Sequence, residues 1–294
     1  IVVFLLIGSM VLIGLIGVCK LGISSNVVDY AANAPTFEQI GGFKGLCSYA
    51  ALAFWLFIGV EFIIPVAKDL KNPRRDVLLS MTIGLVLLFF VQSILGIGMT
   101  NYVSLDILAN DPAGTPHMTY ATNLLGNAGR IWMGIITILA AASTINTVYA
   151  SVSRIVQGMG EEGMMPSVFA KTNKRCAAWV GLVVLFVFVA GIIASGLGAT
   201  EGVSFLLLSG SCFWLLTYCL VHVTVLILRK RNPEYPRKKW LTLGGIPQII
   251  GILGNVYMIW NISTGETRIK IFELCGVLFA VLVVYSIIWV CGVC

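Results

Sequence analysis

The chain has 294 residues, 58% hydrophobic and 11% charged, with a net charge of +6 and a mean hydropathy of +0.95. Soluble domains carry about 25% charged residues, so no soluble core could hide this much apolar surface, and the composition specifies an all-α polytopic membrane protein. The basic excess lies in short connections between apolar runs; it reports topology and excludes a nucleic-acid partner.

Helical spans need about 20 apolar residues. Eight stretches qualify, roughly 1–22, 45–67, 77–99, 130–156, 177–197, 203–228, 244–263 and 271–292. The first opens at Ile1 inside an apolar run, with no basic flank. That is not the pattern of a signal peptide, and an upstream segment is expected.

The second stretch carries the strongest signal. Glu61 is the only acid between Glu38 and Asp69, within the apolar segment from Phe54 to Pro65. An intramembrane carboxylate costs several kcal/mol and by default marks a pathway, a proton site or a ligand contact. Gly59 and Pro65 flank it, and both weaken a helix at that depth. A helix broken there exposes C=O and N–H groups able to hold a substrate's ammonium and carboxylate. On a regular helix Glu61 falls ~7 Å to the cytoplasmic side of the middle of its span. The bland alternative is a hydrogen bond from Glu61 to a neighbouring helix. The segment Asp69–Asp76 that follows reads as a charged connector that stops one helix and fixes topology.

Residues 100–129, with Asp106, Asp111 and His117, read as a loop, and turn formers mark Asn72-Pro73, Asp111-Pro112-Ala113-Gly114, Met165-Pro166, Asn232-Pro233 and Pro236. The fourth stretch bears a polar stripe: Ser143, Asn146, Thr147 and Tyr149 to Ser153. Small polar residues of this kind glue helices or contact an ion or substrate. Gly158 to Gly163 matches GxGxxG by letters but follows a membrane helix, not a strand, so no dinucleotide site is expected. His222 on the sixth stretch reads as a packing residue able to titrate near neutral pH. The sequon at Asn261 is too close to the bilayer to weigh. Cys291 and Cys294 end an apolar helix with no third ligand nearby, so neither a metal nor a redox centre is expected there. The remaining cysteines read as small hydrophobes. Glycine faces (Gly84, Gly96, Gly98, Gly191, Gly196, Gly198, Gly251, Gly254) predict close helix approach.

Orientation follows from the basic residues. Lys68, Lys71, Arg74, Arg75, Arg154, Lys171, Lys174, Arg175, Arg229 to Arg231 and Arg237 to Lys239 fall on one side; Lys20, Lys44, Arg130, Arg268 and Lys270 fall on the other. The richer side is cytoplasmic. Both ends of the chain then face the cytoplasm, and 100–129 lies outside.

These motifs resemble the amino acid–polyamine–organocation transporter superfamily. Trp55-Leu56-Phe57-Ile58-Gly59-Val60-Glu61 followed by Lys71-Asn72-Pro73-Arg74-Arg75 is similar to that family's sixth-helix signature. Ser153-Arg154, Met159-Gly160-Glu161-Glu162-Gly163-Met164-Met165-Pro166 and Phe169-Ala170-Lys171 are similar to its end of helix eight. The resemblance spans the chain and makes it family helices five to twelve: one transmembrane domain over 1–294, part of a LeuT-like 5+5 inverted repeat with two extra C-terminal helices. Helices one to four, with the glycine-rich break that completes the substrate site, would lie upstream.

The resemblance also implies roles. Trp55 is the occluding aromatic gate. Backbone atoms of Phe54, Trp55, Ile58 and Gly59 meet the substrate's α-ammonium, and Glu61 couples protonation to the switch. Asn146, Val148 and Tyr149 build part of the side-chain pocket. Val148 stands near where an arginine-carrying member stacks an indole on the guanidinium; without that cation–π contact, arginine is not the expected substrate. Some proton-coupled members carry a lysine early in helix five, where Leu6 stands nearest.

The expectation is a secondary active amino acid permease of the inner (plasma) membrane, working by proton symport or exchange, with Na⁺ coupling through the Ser/Thr stripe left open. No cofactor is expected. The partners are an amino acid or amine substrate and the lipid bilayer, with homo-oligomerisation left open. The alternative is a non-transporting sensor or assembly subunit of the same fold. An enzyme is not expected, because no metal-ligand cluster and no Ser/His/Asp set shares one membrane depth.

Overall fold

A computed structural model describes residues 2–23, 28, 34–110, 115–198, 200–234 and 243–293, and among them the secondary structure is helical without strands. In chain order the α-helices are α1 (Val2–Val18), α2 (Gly42–Ala53), α3 (Pro73–Thr100), α4 (Leu105–Asn110), α5 (Pro116–Glu161), α6 (Trp179–Ala194), α7 (Thr200–Arg231), α8 (Ile246–Trp260) and α9 (Gly265–Val293). Short 3-10 segments cover Phe54–Phe57, Val60–Asp69, Ser167–Ala170 and Leu243–Gly245.

Five described helices are long and apolar enough to cross a bilayer: α3, α5, Gly202–Arg231 of α7, Leu243–Trp260 and Gly265–Gly292 of α9. Together they make this a multi-pass membrane protein. The helices α1 and α6 are equally apolar but have 17 and 16 residues, about 25 Å at 1.5 Å per residue, short of the ~30 Å hydrocarbon core. The turn expected at 111–114, and Pro236 to Lys239 with it, lie outside the described residues.

The chain forms two compact units, residues 1–34 with 57–190 and residues 35–56 with 191–294. In the first, α1 packs against α3 and α5. Gly14 and Gly98 let two backbones meet: a Cβ on Gly98 would lie 2.8 Å from the Gly14 carbonyl oxygen. Ile13, Tyr102, Tyr120, Leu124, Met133 and Ile136 fill the core beside them.

Here the structure corrects the reading of 100–129 as a loop. Pro116 at the first helical position starts α5 well before residue 130, Gly126 (φ 62°, ψ −143°) kinks it, and α4 fills part of what precedes. The reason is that polar groups of this segment bond to α1 and to the chain just after it. Asn101 Nδ2 donates to the Gly17 carbonyl at 3.1 Å and the Tyr120 hydroxyl donates to the Ile13 carbonyl at 2.7 Å. The Gly22 N–H donates to the Tyr102 hydroxyl at 2.8 Å, and Asn123 Nδ2 donates to the Tyr102 carbonyl at 2.9 Å. Polar residues that read as loop formers therefore tie this segment to α1, to Gly22 and to itself. Tyr120→Phe deletes one of these bonds in a fully buried site and should cost about 1 kcal/mol, read as a lower Tm in detergent.

In the second unit α7 packs against α8 and α9, and α8 against α2. The core holds Cys212, Leu215, Ile262, Ile271 and Cys275. Phe54 meets Tyr218 edge-on, with ring centroids 5.7 Å apart. His222 lies directly over Gly251, whose missing Cβ makes room for the imidazole; this is the packing role its position suggested. The glycine expectation holds for Gly98 and Gly251 but not for Gly96, Gly191, Gly196 or Gly254, which face open space.

Candidate functional site

The second apolar stretch is not one helix. The α2 helix ends at Ala53, a 3-10 turn carries Phe54–Phe57, and a second 3-10 helix begins at Val60. Gly59 sits between them at φ 113°, ψ −12°, a conformation that an L side chain strains to adopt. The boundary between the two units falls here, after Leu56.

Glu61 lies in the first turn of the second segment, half-buried, and its Oε2 accepts the Gly59 N–H at 3.0 Å. The carboxylate thus caps the helix whose start it occupies, where exposed N–H groups favour negative charge. Four residues on, Pro65 has no N–H to give. In a 3-10 helix the carbonyl that would have taken that N–H is that of Phe62, three residues back. Ser151 on α5, 3% exposed, donates its hydroxyl to that oxygen at 3.4 Å. Ser151→Ala deletes this bond and should cost about 1 kcal/mol. Ser151→Thr, which keeps the hydroxyl, should recover most of that loss in the same thermal unfolding assay.

Two other hydroxyls of the polar stripe turn inward on their own helix. Thr147 donates to the Ser143 carbonyl at 2.9 Å and Ser153 to the Ala150 carbonyl at 3.1 Å. The stripe works as glue at Ser151 and at Ser153, whose backbone is the close neighbour of Gly181 on α6.

The 3-10 helix packs along α3 and α5. At ~2.0 Å per residue, Asp69 stands about 16 Å along the axis from Glu61, further than a regular α-helix would carry it. There Arg154 Nη1 meets Asp69 Oδ2 at 2.6 Å. The pair borders a cleft of about 390 Å³ lined by Ile64, Pro65, Gln157 and Glu161. Sequence reasoning treated Asp69 and Arg154 as topology markers; opposite charges at the ends of two packed helices were the signal for the pair. Their side chains are 42% (Arg154) and 58% (Asp69) exposed, so a double-mutant cycle should give a coupling below about 1 kcal/mol that shrinks with salt.

The connector beyond is more than a charged stop. Pro73 opens α3, and the Asn72 N–H donates to Asp76 Oδ2 at 3.1 Å, a side-chain cap on that helix. At the C-terminal end of α5, Gly163 (φ 71°) turns the chain after Glu161, and the segment Ser167–Ala170 folds back so that Phe169 and Ala170 press on Gly160. The GxGxxG letters are therefore a helix terminus.

Of the residues assigned to the site, Ile58, Gly59 and Glu61 share a unit with Asn146, Val148 and Tyr149, whereas Phe54 and Trp55 belong to the other. Val148 and Tyr149 are half-buried and Asn146 is exposed. Trp55 lies in the 3-10 turn; its side chain is outside the described part of the structure.

Comparison with known proteins completes the picture. The family model described as amino acid permease matches residues 1–291. The branched-chain amino acid permease BcaP of Bacillus subtilis is 27% identical over 233 residues, covering 76% of this chain and 46% of that protein. A vacuolar cationic amino acid transporter 2 of Arabidopsis thaliana is 26% identical over 222 residues, 72% of this chain and 33% of its own length. The methylthioribose transporter of Bacillus subtilis is 24% identical over 204 residues, 66% of this chain and 40% of that protein. The chain thus spans between a third and a half of these relatives. They are transporters, not enzymes, and the chain belongs to the amino acid permease family.

Proposed function

We propose that this chain is the helix five-to-twelve portion of a secondary active amino acid transporter working by alternating access. The reading takes 1–294 as one transmembrane domain of eight spans, within a 5+5 inverted repeat carrying two extra helices. It sits in the inner (plasma) membrane with both ends cytoplasmic. The observation that carries it is the helix break at Gly59, with the Glu61 carboxylate turned back onto the freed N–H. Broken helices are where transporters of this kind hold charged substrate groups.

The substrate is an α-amino acid or a related amine. Exposed backbone around Phe54 to Gly59 takes its α-ammonium, Trp55 closes over it, and Asn146, Val148 and Tyr149 meet its side chain. Glu61 works by exchange of partners. Ionised, it holds the Gly59 N–H and the break; protonated, it binds that N–H less strongly, and the two segments are released to rearrange. A proton is therefore the coupling ion.

The test is uptake by the full-length protein in proteoliposomes under an imposed pH gradient. Glu61→Gln, an isostere that cannot ionise, should lower gradient-driven uptake at least tenfold and flatten its pH profile. Unchanged uptake and pH dependence would overturn the role of Glu61. Counterflow of labelled amino acids separates transport from sensing: binding without exchange would replace the transporter by a sensor.

A further inference from the structure

Two thiols in the second unit have no part in the transport reading. Cys212 on α7 and Cys275 on α9 are 5% and 7% exposed and belong to one core cluster. They come from different helices that pack against each other, and their side chains meet in that one cluster. The Cys275 thiol is also oriented: its S–H donates to the Ser209 carbonyl at 3.5 Å, one turn before Cys212 on α7. Lone buried cysteines are small hydrophobes; a facing pair with one proton already committed is a dithiol.

Depth decides which oxidant can reach it. Cys212 is twelve residues from Thr200 and Cys275 ten from Gly265, so both lie ~15–18 Å inside their helices. Water-soluble disulfides do not enter an apolar interior at that depth, whereas lipid-soluble quinones do.

We propose that Cys212 and Cys275 form a redox-active dithiol that a membrane quinone oxidises to a disulfide tying α7 to α9. Two S–H bonds break and one S–S bond forms. The two electrons and two protons pass to the quinone, which leaves as the hydroquinone. The step fixes two packed helices of one unit to each other without touching the broken helix.

Arg237, Lys238 and Lys239 lie between the two cysteines in sequence, so trypsin separates the fragments that carry them. Full-length protein in proteoliposomes is treated with a short-chain ubiquinone or with oxidised glutathione, alkylated, cleaved and run without reductant. With the quinone the two fragments should stay joined, part on adding a thiol reductant, and yield one linked peptide lighter by two hydrogens. Cys212→Ser and Cys275→Ser should each abolish the link, and Cys219→Ser should leave it intact. The proposal is overturned if no Cys212–Cys275 peptide forms while the exposed Cys19 and Cys176 oxidise. Equal linkage by oxidised glutathione would overturn the membrane route.

Discussion

Replacing Gly59 by alanine should cut substrate uptake about tenfold while leaving the protein folded. The residue sits at φ 113°, and a Cβ in left-handed space costs roughly 1–2 kcal/mol, where 1.4 kcal/mol is a factor of ten in an equilibrium. Crowding plays no part, because the nearest atoms to such a Cβ belong to the Phe62 ring at 3.8 Å. The strain is relieved if the chain straightens toward a regular helix, and the N–H that now serves Glu61 is then drawn back into the ladder. Asparagine is the informative second variant. It tolerates the left-handed helical region near φ +57° but not the wider angle found here, so Gly59→Asn should lose activity as alanine does. Full uptake by either variant would show that the break is not the working conformation.

The second large effect is expected at Gly98. Leucine there meets the Gly14 carbonyl oxygen, where even a Cβ would lie at 2.8 Å, with the Tyr120 hydroxyl equally close. Backbone on the facing side cannot move aside as a flexible side chain can, so α1 and α3 must separate. Overpacking of this kind costs about 1–3 kcal/mol, and the bonds that Tyr120 and Asn101 make to α1 would be strained with it. The expected result is a large fall in Tm, with a milder fall for Gly98→Ala. Gly96 is the control: it lies two residues away on the same helix, with nothing within 4 Å, and Gly96→Leu should be close to neutral. Equal destabilisation at both positions would mean that the close approach to Gly14 does not set the cost.

The contrast between these glycines shows what a sequence can and cannot disclose. Gly96 and Gly98 are indistinguishable as letters in an apolar run, and which one meets another helix depends on a partner more than eighty residues away. Gly59 was legible because its neighbours conspired: an acid that lipid penalises, a proline six residues on and aromatic residues before it. Tyr102, Asn101, Tyr120 and Asn123 were misread as loop residues because their polar groups bond to α1, to Gly22 and to one another, partners invisible locally. The pairing of Asp69 with Arg154 was likewise hidden, since each charge alone accounts for topology.

By itself the sequence determined the membrane class, the order of apolar helices and the position of the break, because hydropathy, charge and helix-weakening residues are local properties that lipid enforces directly; its motifs carried the resemblance to the family. Only the tertiary structure decided that Ser151 donates to the Phe62 carbonyl and that Cys212 and Cys275 meet in one core cluster. Each depends on which groups fall within about 3.5 Å of one another, and that is settled by packing between segments distant in the chain.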